Sequence, residues 1–529
     1  MAAEQGAEVG SSPWAPLRAT VFRALWIAVL LSNVGTWMQT VGAQWLLVSA
    51  PGASVLVSLV QTASSLPVLL FALPAGVLAE FLDKRRLLLA TQLFQVVVGA
   101  VLTVITATGG TSPSLLLVLT FLLGAGAAFQ LPAYQAVIPA LVPRAQLTSA
   151  AALGSISINL ARALGPAIAG LVISWIGVAA VFAINAVSFL VFAVVLLWWR
   201  PEPVDRPHPE AFLSALRVGG RYVRHSPVVR RLMLHLVLFI VPASVLWALL
   251  PLIADQRLGI GSGGYGLLLA AVGAGSLIGA VVLPRLRRVW SPTGLLAVAS
   301  VGYAAAMLVV GLVRIPWLVV LVLLPAGVAW IMVLSSLNAT VQAFLPRWVR
   351  ARGLSIYQVV LFGATAVGSA LWGLVAARVG LPVSFLLSAA LLAAGAASAR
   401  LLPLHDVSGV DRAEAPAWLD PQLALDPEEN PGPVLVTVEY VVRAELFDEL
   451  MAGLDAVRRT RLRTGAISWR TYRDAERPEL VVEQFTVPSW EEHLRQHGGG
   501  RTTGADQASL DRVRELSDPP PTVRHLFSV

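Results

Sequence analysis

Twelve long apolar stretches, separated by short polar segments, make up most of the first 402 residues. A helix that crosses a bilayer needs about 20 mostly apolar residues, so each stretch predicts one membrane span. The predicted spans are 22–48, 54–79, 87–107, 114–140, 150–174, 178–199, 230–253, 263–283, 293–313, 316–340, 354–377 and 381–402. The pattern predicts an all-α polytopic membrane protein with two six-helix halves, 1–200 and 230–402, joined by a cytoplasmic loop at 201–229.

The distribution of basic residues predicts the orientation of these spans. Loops on the side of the N-terminus carry 19 Lys and Arg, whereas the opposite loops carry only Arg257, Arg314 and Arg378. Because loops rich in Lys and Arg stay in the cytoplasm, both termini are expected there. The polar segment 1–19 lacks an apolar core and a cleavage site, so no cleaved signal peptide is expected.

The composition excludes several classes of function. The chain is 57% hydrophobic and 13% charged, whereas soluble proteins carry roughly 25% charged residues. The positive charge behind its net charge of +8 sits in short loops between apolar spans, so no nucleic-acid partner is predicted. The chain has no cysteine, which excludes thiolate metal sites and cysteine nucleophiles. It also has no GxxxxGK[ST] sequence, and we predict no ATP-driven step, no cofactor, no metal and no catalytic residue.

The two halves carry a repeated loop pattern. Gly76 is followed eight to ten positions later by Lys84, Arg85 and Arg86, and Gly279 is followed by a similar basic pair. The two glycines are 203 residues apart, and each closes the second span of its half. Two related six-span halves are typical of transporters, whose substrate site lies near the midplane between the halves.

Over residues 20–402 the chain resembles the major facilitator superfamily. The segment GVLAEFLDKRR at 76–86 is similar to the gating motif between spans 2 and 3 of that family, with Glu80 and Phe81 as departures. The resemblance implies that a carboxylate and cations pair across the halves in one state; the alternative is a plain cytoplasmic basic loop. The residues of this motif are Gly76, Glu80, Asp83, Lys84, Arg85 and Arg86.

Two further segments indicate the subfamily. NLARALGPAIAG at 159–170 resembles an efflux-associated motif of span 5, in which Gly165 and Pro166 would kink the helix and allow close packing. SNVGTWMQTVGAQWLL at 32–47 resembles the enterobactin-exporter-like efflux permeases of bacteria. The resemblance implies a proton-coupled secondary transporter in the bacterial inner membrane that exports an amphipathic siderophore, drug or natural product by alternating access.

Few residues within the spans are suited to bind a substrate or a proton. Arg162 is the only charge deep in a span and favours an anionic or carbonyl-rich ligand, although a structural Arg is the alternative. The candidates for the substrate cavity are Asn33, Gln39, Gln130, Tyr134, Gln135, Asn159, Arg162, Asn338, Gln342, Tyr357 and Gln358. The amides and hydroxyls among them could equally join helices. For proton coupling the candidates are His235 and Asp255, although Asp255 could instead pair with Arg257 in a loop.

The last 127 residues lack long apolar stretches and differ in this from the first 402. Residues 403–432 are rich in Pro, Asp and Glu and predict a linker. Residues 433–529 predict the order β-α-β-β-α-α-β, a cytoplasmic ferredoxin-like α+β domain. This domain resembles dimeric α/β-barrel domains related to antibiotic-biosynthesis monooxygenases, which implies a homodimer or a regulatory role.

A function in the tail is the main alternative to transport. Trp490, His493 and His497 suggest chemistry there, but no metal spacing, nucleophile set or cofactor loop accompanies them. A membrane-anchored enzyme or regulatory protein acting through this domain is therefore the alternative, and a receptor derived from a transporter is another. We predict that the chain is not an enzyme and that its partners are a small-molecule substrate and the lipid bilayer.

Overall fold

The computed structural model describes residues 12–200, 212–404, 423–427, 432–497 and 501–528. Most of the predicted linker 403–432 therefore lies outside the described residues. The helices of the apolar part are α1 Thr20–Leu46, α2 Ala53–Phe81, α3 Lys84–Ala107, α4 Pro113–Leu141, α5 Leu147–Trp175, α6 Val178–Trp198, α7 Phe212–His225, α8 Pro227–Leu252, α9 Gly261–Val289, α10 Pro292–Leu312, α11 Pro316–Phe344 and α12 Arg347–Leu401.

Eleven of the described helices, all of these except α7, are long and apolar enough to cross a membrane. Helix α12 contains both of the last two predicted spans. It has 55 residues, and Gly380 within it has φ 80° and ψ 168°, outside the helical region. Positive φ is a conformation that glycine adopts without a steric penalty, so Gly380 is where the helical path is interrupted.

Polar residues at the ends of the spans set where several helices begin. The Asp83 side chain accepts a hydrogen bond from the backbone N–H of Arg86 at 2.8 Å and caps α3. Ser112 caps α4 and Ser291 caps α10, each followed by a proline in the first turn. These residues satisfy helix N–H groups and fix the starts of three spans.

Helix α7 corrects the prediction that residues 201–229 form only a loop. Its sequence FLSALRVGGRYVRH is too polar to span a bilayer, but it has one apolar face and Tyr222 is buried. A search for 20-residue apolar stretches misses such a helix because its apolar residues are interleaved with arginines.

The chain forms two compact units. The first comprises Met1–Pro209, Leu234–Ser336 and Gln358–Pro403, and the second comprises Glu210–Met233, Leu337–Tyr357 and Leu404–Val529. The first unit contains most of the membrane-spanning helices. The second contains α7, the end of α11, the start of α12 and the tail.

In the first unit the two halves meet along α5 and α9. A Cβ atom on Gly266 of α9 would lie 2.5 Å from the carbonyl oxygen of Pro166, and one on Gly170 of α5 would lie 3.0 Å from the Cα of Gly266. Only residues without a side chain allow two backbones to approach this closely. The GPAIAG segment predicted from the sequence to permit close packing thus forms the seam with the other half, while α5 continues as one helix through Pro166.

Three other pairs of helices, α1–α8, α1–α9 and α2–α12, join the halves through hydrogen bonds. Gln44, near the end of α1, donates to the carbonyl of Trp247 on α8 at 2.8 Å and accepts from the Tyr265 hydroxyl of α9 at 2.6 Å. Thr62 of α2 donates to the carbonyl of Ala366 on α12 at 3.0 Å. Since α1 ends and α2 begins on one side, these contacts close the halves together there.

The tail is an α+β domain. It consists of β1 Val434–Val441, α13 Phe447–Thr464, β2 Ser468–Arg473, β3 Leu480–Val487, α14 Trp490–His497, α15 Gly504–Glu515 and β4 Thr522–Phe527, which confirms the predicted order of strands and helices. The strands form one antiparallel sheet in the order β2-β3-β1-β4. Alternate strand residues, such as Val436 and Phe485, pack with Leu450 and Leu454 of α13 in a common core.

We predict that Gly266→Ala loosens the seam between α5 and α9, because the added methyl group would clash with backbone. Overpacking of this kind costs about 1–3 kcal/mol. The melting temperature of the purified protein in detergent should fall. Gly263→Ala is the matched control, because a Cβ there meets nothing within 4 Å, and its melting temperature should stay the same or rise. Equal melting temperatures for the two variants would contradict the seam.

Candidate functional site

Arg162 lies on the seam between the halves. Its carbonyl oxygen would be 2.9 Å from a Cβ on Gly273 of α9, so the backbone of α5 touches the other half at this residue. The guanidinium donates from Nη1 to the Asn159 side-chain oxygen at 3.4 Å and lies 5.7 Å from the ring centroid of Trp37. Its buried Nε has no acceptor among the described residues.

Aromatic rings continue from Arg162 into the second half. The ring of Trp37 on α1 lies 5.6 Å from that of Trp247 on α8, which lies 5.2 Å from that of Trp330 on α11. Phe239 and Tyr303 also pack against Trp330, with ring centroids 5.9 and 6.0 Å from its own. We call Arg162, Trp37, Trp247 and Trp330 the Arg–Trp cluster; it contains residues from both halves of the membrane domain.

Reasoning from the sequence missed the three tryptophans of this cluster. It searched the span interiors for polar and charged side chains only. The available signal was position: Trp37 and Trp330 lie in the middle of their helices, where an interfacial role does not apply. Gly165 of the efflux-like motif contributes to their placement, since a Cβ there would lie 2.6 Å from the Cβ of Trp37.

Several predicted cavity residues instead bind neighbouring helices of their own half. Asn33 donates to the Ser157 hydroxyl at 3.4 Å, and Gln39 accepts from the Asn185 side chain. Gln130 accepts from the Gln92 side chain at 2.8 Å. These contacts correspond to the alternative in which amides join helices.

The remaining cavity candidates are dispersed. Tyr134 packs edge-to-face on Phe192 at 6.4 Å, and Gln135 is exposed. Asn338 accepts from Gln342 at 3.1 Å within the second unit. Tyr357 is a buried residue of the second unit, whereas Gln358 belongs to the first. Of the predicted set, only Arg162 and Asn159 join the Arg–Trp cluster directly.

The predicted gating motif binds its own half in this conformation. Arg85 donates to the carbonyls of Leu196 and Leu197 at 2.7 and 2.8 Å, at the end of α6. Lys84 donates to the carbonyl of Ala136 on α4 at 3.2 Å. A cation at a helix C-terminus is favourable because the last carbonyls carry partial negative charge. Gly76 is open on its Cβ side, the Glu80 side chain lies outside the described residues, and a gating role remains a prediction.

The two candidates for proton coupling lie in α8 and in the turn that directly follows it. His235 on α8 is buried, and its Nε2 is 2.8 Å from the carbonyl oxygen of Leu402. It lines a small cavity with Phe239, Ser300 and other residues of the same half. Asp255 lies in a turn after α8 and is half-buried, while Arg257 donates to the carbonyl of Leu312 at 3.4 Å.

The tail has a buried polar network of its own. Glu483 of β3 is fully buried and accepts from the Tyr440 hydroxyl at 2.9 Å, Arg461 Nε at 3.3 Å and Trp469 Nε1 at 3.0 Å. Three donors compensate the desolvated carboxylate, so the network stabilises the domain only while it stays intact. Burial raises the pKa of the Tyr440 hydroxyl, and the Glu483 charge adds to this shift.

A pair of histidines lies beside this network. The Nε2 atoms of His493 and His525 are 3.1 Å apart, and the Trp490 ring packs against both imidazoles. Burial lowers the pKa of His493 to about 3, helped by His525 and Arg461. Among the described residues no three His, Asp or Glu side chains form a metal-binding group. The His497 side chain lies outside the described residues.

In the second unit the tail contacts α7 and the start of α12. The Arg463 guanidinium lies 5.5 Å from the Tyr222 ring, and that of Arg501 lies 5.2 Å from the Trp348 ring. The Tyr222 and Trp348 rings meet edge-to-face at 5.7 Å, and Arg221 donates to the carbonyl of Gly465 at 3.1 Å. We call these contacts the tail clamp.

Comparison with known proteins identifies the family. The family model described as "Transmembrane secretion effector" matches residues 11–529, which includes both the membrane helices and the tail. The chain belongs to this family. Its members are major facilitator transporters, so the chain is a multi-pass membrane transporter of that superfamily and not an enzyme, as the sequence resemblance implied.

Individual relatives agree with this assignment. The chain is 24% identical to the staphyloferrin A transporter of Staphylococcus aureus over 52% of its own length and 70% of the relative. It is 27% identical to the multidrug efflux pump Tap of Mycobacterium tuberculosis over 73% and 94% of the two chains. A crystal structure of a bacterial homologue of the human lysosomal transporter Spinster matches with a TM-score of 0.58 at 16% identity, covering 74% and 98%.

We predict that the stability of the tail falls as the pH drops below 6.5. The unfolded chain then protonates His493, whereas the folded domain resists protonation down to about pH 3. Between pH 6.5 and 5 this difference amounts to at most about 2 kcal/mol. The melting temperatures of the full chain and of its His493→Gln variant, each at pH 6.5 and at pH 5, measure this difference in stability. The melting temperature should fall less for the variant, and equal falls would contradict a neutral buried His493.

Proposed function

We propose that the protein exports an amphipathic small molecule, such as a siderophore, a drug or a natural product, by alternating access. The observation that supports it most is the Arg–Trp cluster, in which Arg162 on the α5–α9 seam contacts a series of tryptophan rings from both halves. A ligand held by both halves affects how they move relative to one another, as alternating access requires. The siderophore and drug relatives support these substrate classes.

We further propose twelve membrane crossings with both termini in the cytoplasm. Helix α12 would cross twice, because a straight helix of its 55 residues would be about 80 Å long and the hydrocarbon core is about 30 Å thick. The break at Gly380 supports a turn between the two crossings. The excess of Lys and Arg in the loops supports the orientation. In this orientation the contacts of Gln44 and Thr62 close the outer side.

Proton coupling is part of the proposal. His235 contributes a buried imidazole that contacts the end of α12, and Asp255 contributes a half-buried carboxyl group in a turn after α8. The gating motif Gly76–Arg86 would change partners when the halves rock, with Arg85 leaving the end of α6 for the opposite half. This exchange keeps the cations bound to acceptors in both states.

The test is flux through the purified full chain in liposomes. Staphyloferrin A and several lipophilic drugs would be followed with and without an imposed pH gradient, with protein-free liposomes as the control. We expect at least one compound to move several times faster with the protein and faster still with the gradient. Movement independent of the gradient would contradict proton coupling, and no movement of any compound would contradict the export proposal.

We propose ferredoxin-like topology and a regulatory role for the tail. The antiparallel strand order β2-β3-β1-β4 with helices on one face supports the topology. The tail clamp supports regulation, because it joins the tail to the start of α12, a helix that continues into the membrane domain. The uncovered sheet face carries Leu435 paired with Leu526 and Val482 paired with Tyr472, and we propose that it packs on a second copy as a homodimer.

We predict that weakening the tail clamp changes the transport rate. Arg501→Gln combined with Trp348→Ala removes a cation–aromatic contact of the clamp and should alter the initial rate severalfold in the same liposomes, without reducing the amount of inserted protein. Arg512→Gln is the matched control, because Arg512 is an exposed arginine of the same domain outside the clamp. If both variants transport at the wild-type rate, the tail does not regulate through this clamp.

A further inference from the structure

We propose that the Arg–Trp cluster is a binding site for a flat ring system that carries an anionic oxygen, such as a carboxylate or a phenolate. This inference deepens the proposed function and rests on it for its role in transport. It commits to one ligand chemistry among the substrates an efflux transporter handles. Four observations support it: shape, unpaired donors, charge and pre-organisation.

The cluster presents three aromatic rings, and aromatic rings favour a planar ligand. Trp37, Trp247 and Trp330 form a continuous series of rings with neighbouring centroids 5.2–5.6 Å apart and interplanar angles of 48° and 63°. The rings come from three helices, α1, α8 and α11, and therefore from both halves. Tilted tryptophan planes offer stacking surfaces to a flat ring inserted beside them. An aliphatic ligand gains less from such a surface.

Three buried N–H groups of the cluster have no acceptor among the described residues. They are Nε of Arg162 and Nε1 of Trp247 and Trp330; each tryptophan is 7% exposed. Folded proteins pair the great majority of buried polar atoms, so an unpaired group requires an explanation. All three are donors, and a ligand that satisfies them must bring acceptor oxygens rather than further donors.

The charge of the cluster selects an anion. Among the described residues of the first unit no carboxylate lies within 4.0 Å of the Arg162 guanidinium, whereas arginines of the tail, such as Arg461 and Arg501, pair with carboxylates. A cation deep in a membrane domain is costly to bury without a counter-charge. Asn159, its side-chain hydrogen-bond partner, contributes only a neutral oxygen. A ligand carboxylate would supply the missing charge and accept two N–H bonds from the planar guanidinium.

The cluster is also pre-organised. The Trp37 ring lies within cation–aromatic distance of the Arg162 guanidinium and limits its rotation. Gly165 fixes the Cβ of Trp37 against α5, and the α5–α9 seam fixes the backbone of Arg162. Side chains that are held before binding lose less entropy when the ligand arrives, which favours affinity.

A competing reading makes the tryptophans a site for a lipophilic cation, because ammonium groups bind aromatic faces. The Arg162 charge opposes that reading, and probes of one shape and different charge distinguish the two. Naphthalene-2-carboxylate, naphthalene-2-methanol and naphthalene-2-methylammonium share a ring and differ in the charge of their substituent. Their affinities for the purified full chain in detergent would be measured by isothermal titration calorimetry.

We expect the carboxylate to bind at least tenfold more tightly than the ammonium probe. Arg162→Gln should abolish this preference, whereas Arg162→Lys should retain part of it, because Lys keeps the charge but not the planar fork. Trp330→Phe keeps an aromatic ring but removes one N–H donor. It should weaken binding of the carboxylate probe severalfold more than binding of the alcohol probe. Trp317→Phe is the matched control on the same helix; Trp317 is 67% exposed, and its change should leave all three affinities unaltered.

Two outcomes would overturn the inference: tighter binding of the ammonium probe than of the carboxylate, or a carboxylate affinity that Arg162→Gln leaves unchanged. Melting temperatures of all variants would separate misfolding from a lost contact. The binding assay is independent of transport. A chain that binds the carboxylate but moves no compound in liposomes would refute export and leave the site standing. A chain that exports a compound but does not bind the carboxylate would refute the site alone.

Discussion

The backbone contact between α5 and α9 is the constraint on which the membrane domain depends. Pro166 and Gly170 on one helix meet Gly266 on the other at distances that leave no room for a Cβ. In a bilayer, apolar surface alone does not drive helices together, because lipid tails are equally apolar. Close packing of small residues therefore joins the two halves, and the position of Arg162 on this seam follows from it.

The cost of burying polar and charged side chains is the second constraint on the membrane domain. Several amides in the spans, such as Asn33, Gln39 and Gln130, hydrogen-bond to adjacent helices of their own half. The cations in the first turn of α3 bind backbone carbonyls of α4 and α6. Arg162 differs from both groups, since it lies within the protein with only a neutral partner and an aromatic neighbour. A group kept at such a cost is usually functional.

The tail also contains buried polar groups that depend on specific partners. Glu483 is buried because three donors surround it, and His493 is buried as a neutral imidazole. Both observations describe a domain stabilised by a specific polar network rather than by apolar packing alone. The tail clamp adds cation–aromatic contacts between the tail and helices α7 and α12. Movement of either helix would change the distances of these contacts. The family model that matches this chain extends over the tail as well as the membrane helices.

The sequence by itself determined the class of the protein, most helices and the order of tail elements. Long apolar stretches specify membrane helices locally, and strand alternation does the same for β1 and β3, so neither needs knowledge of the fold. It also identified Arg162, because a charge in an apolar span is visible without a structure. It missed α7, whose apolar face is interleaved with arginines.

Only the tertiary structure decided which side chains meet. Trp37, Trp247 and Trp330 are separated by 210 and 83 positions in the chain, and nothing in their local sequence indicates that their rings touch. The predicted amides had the right chemistry for a cavity, but their partners on neighbouring helices were decided by helix rotation and packing. Local periodicity records which residues form a helix, whereas the contacts between helices depend on how distant small residues, such as Gly170 and Gly266, fit together.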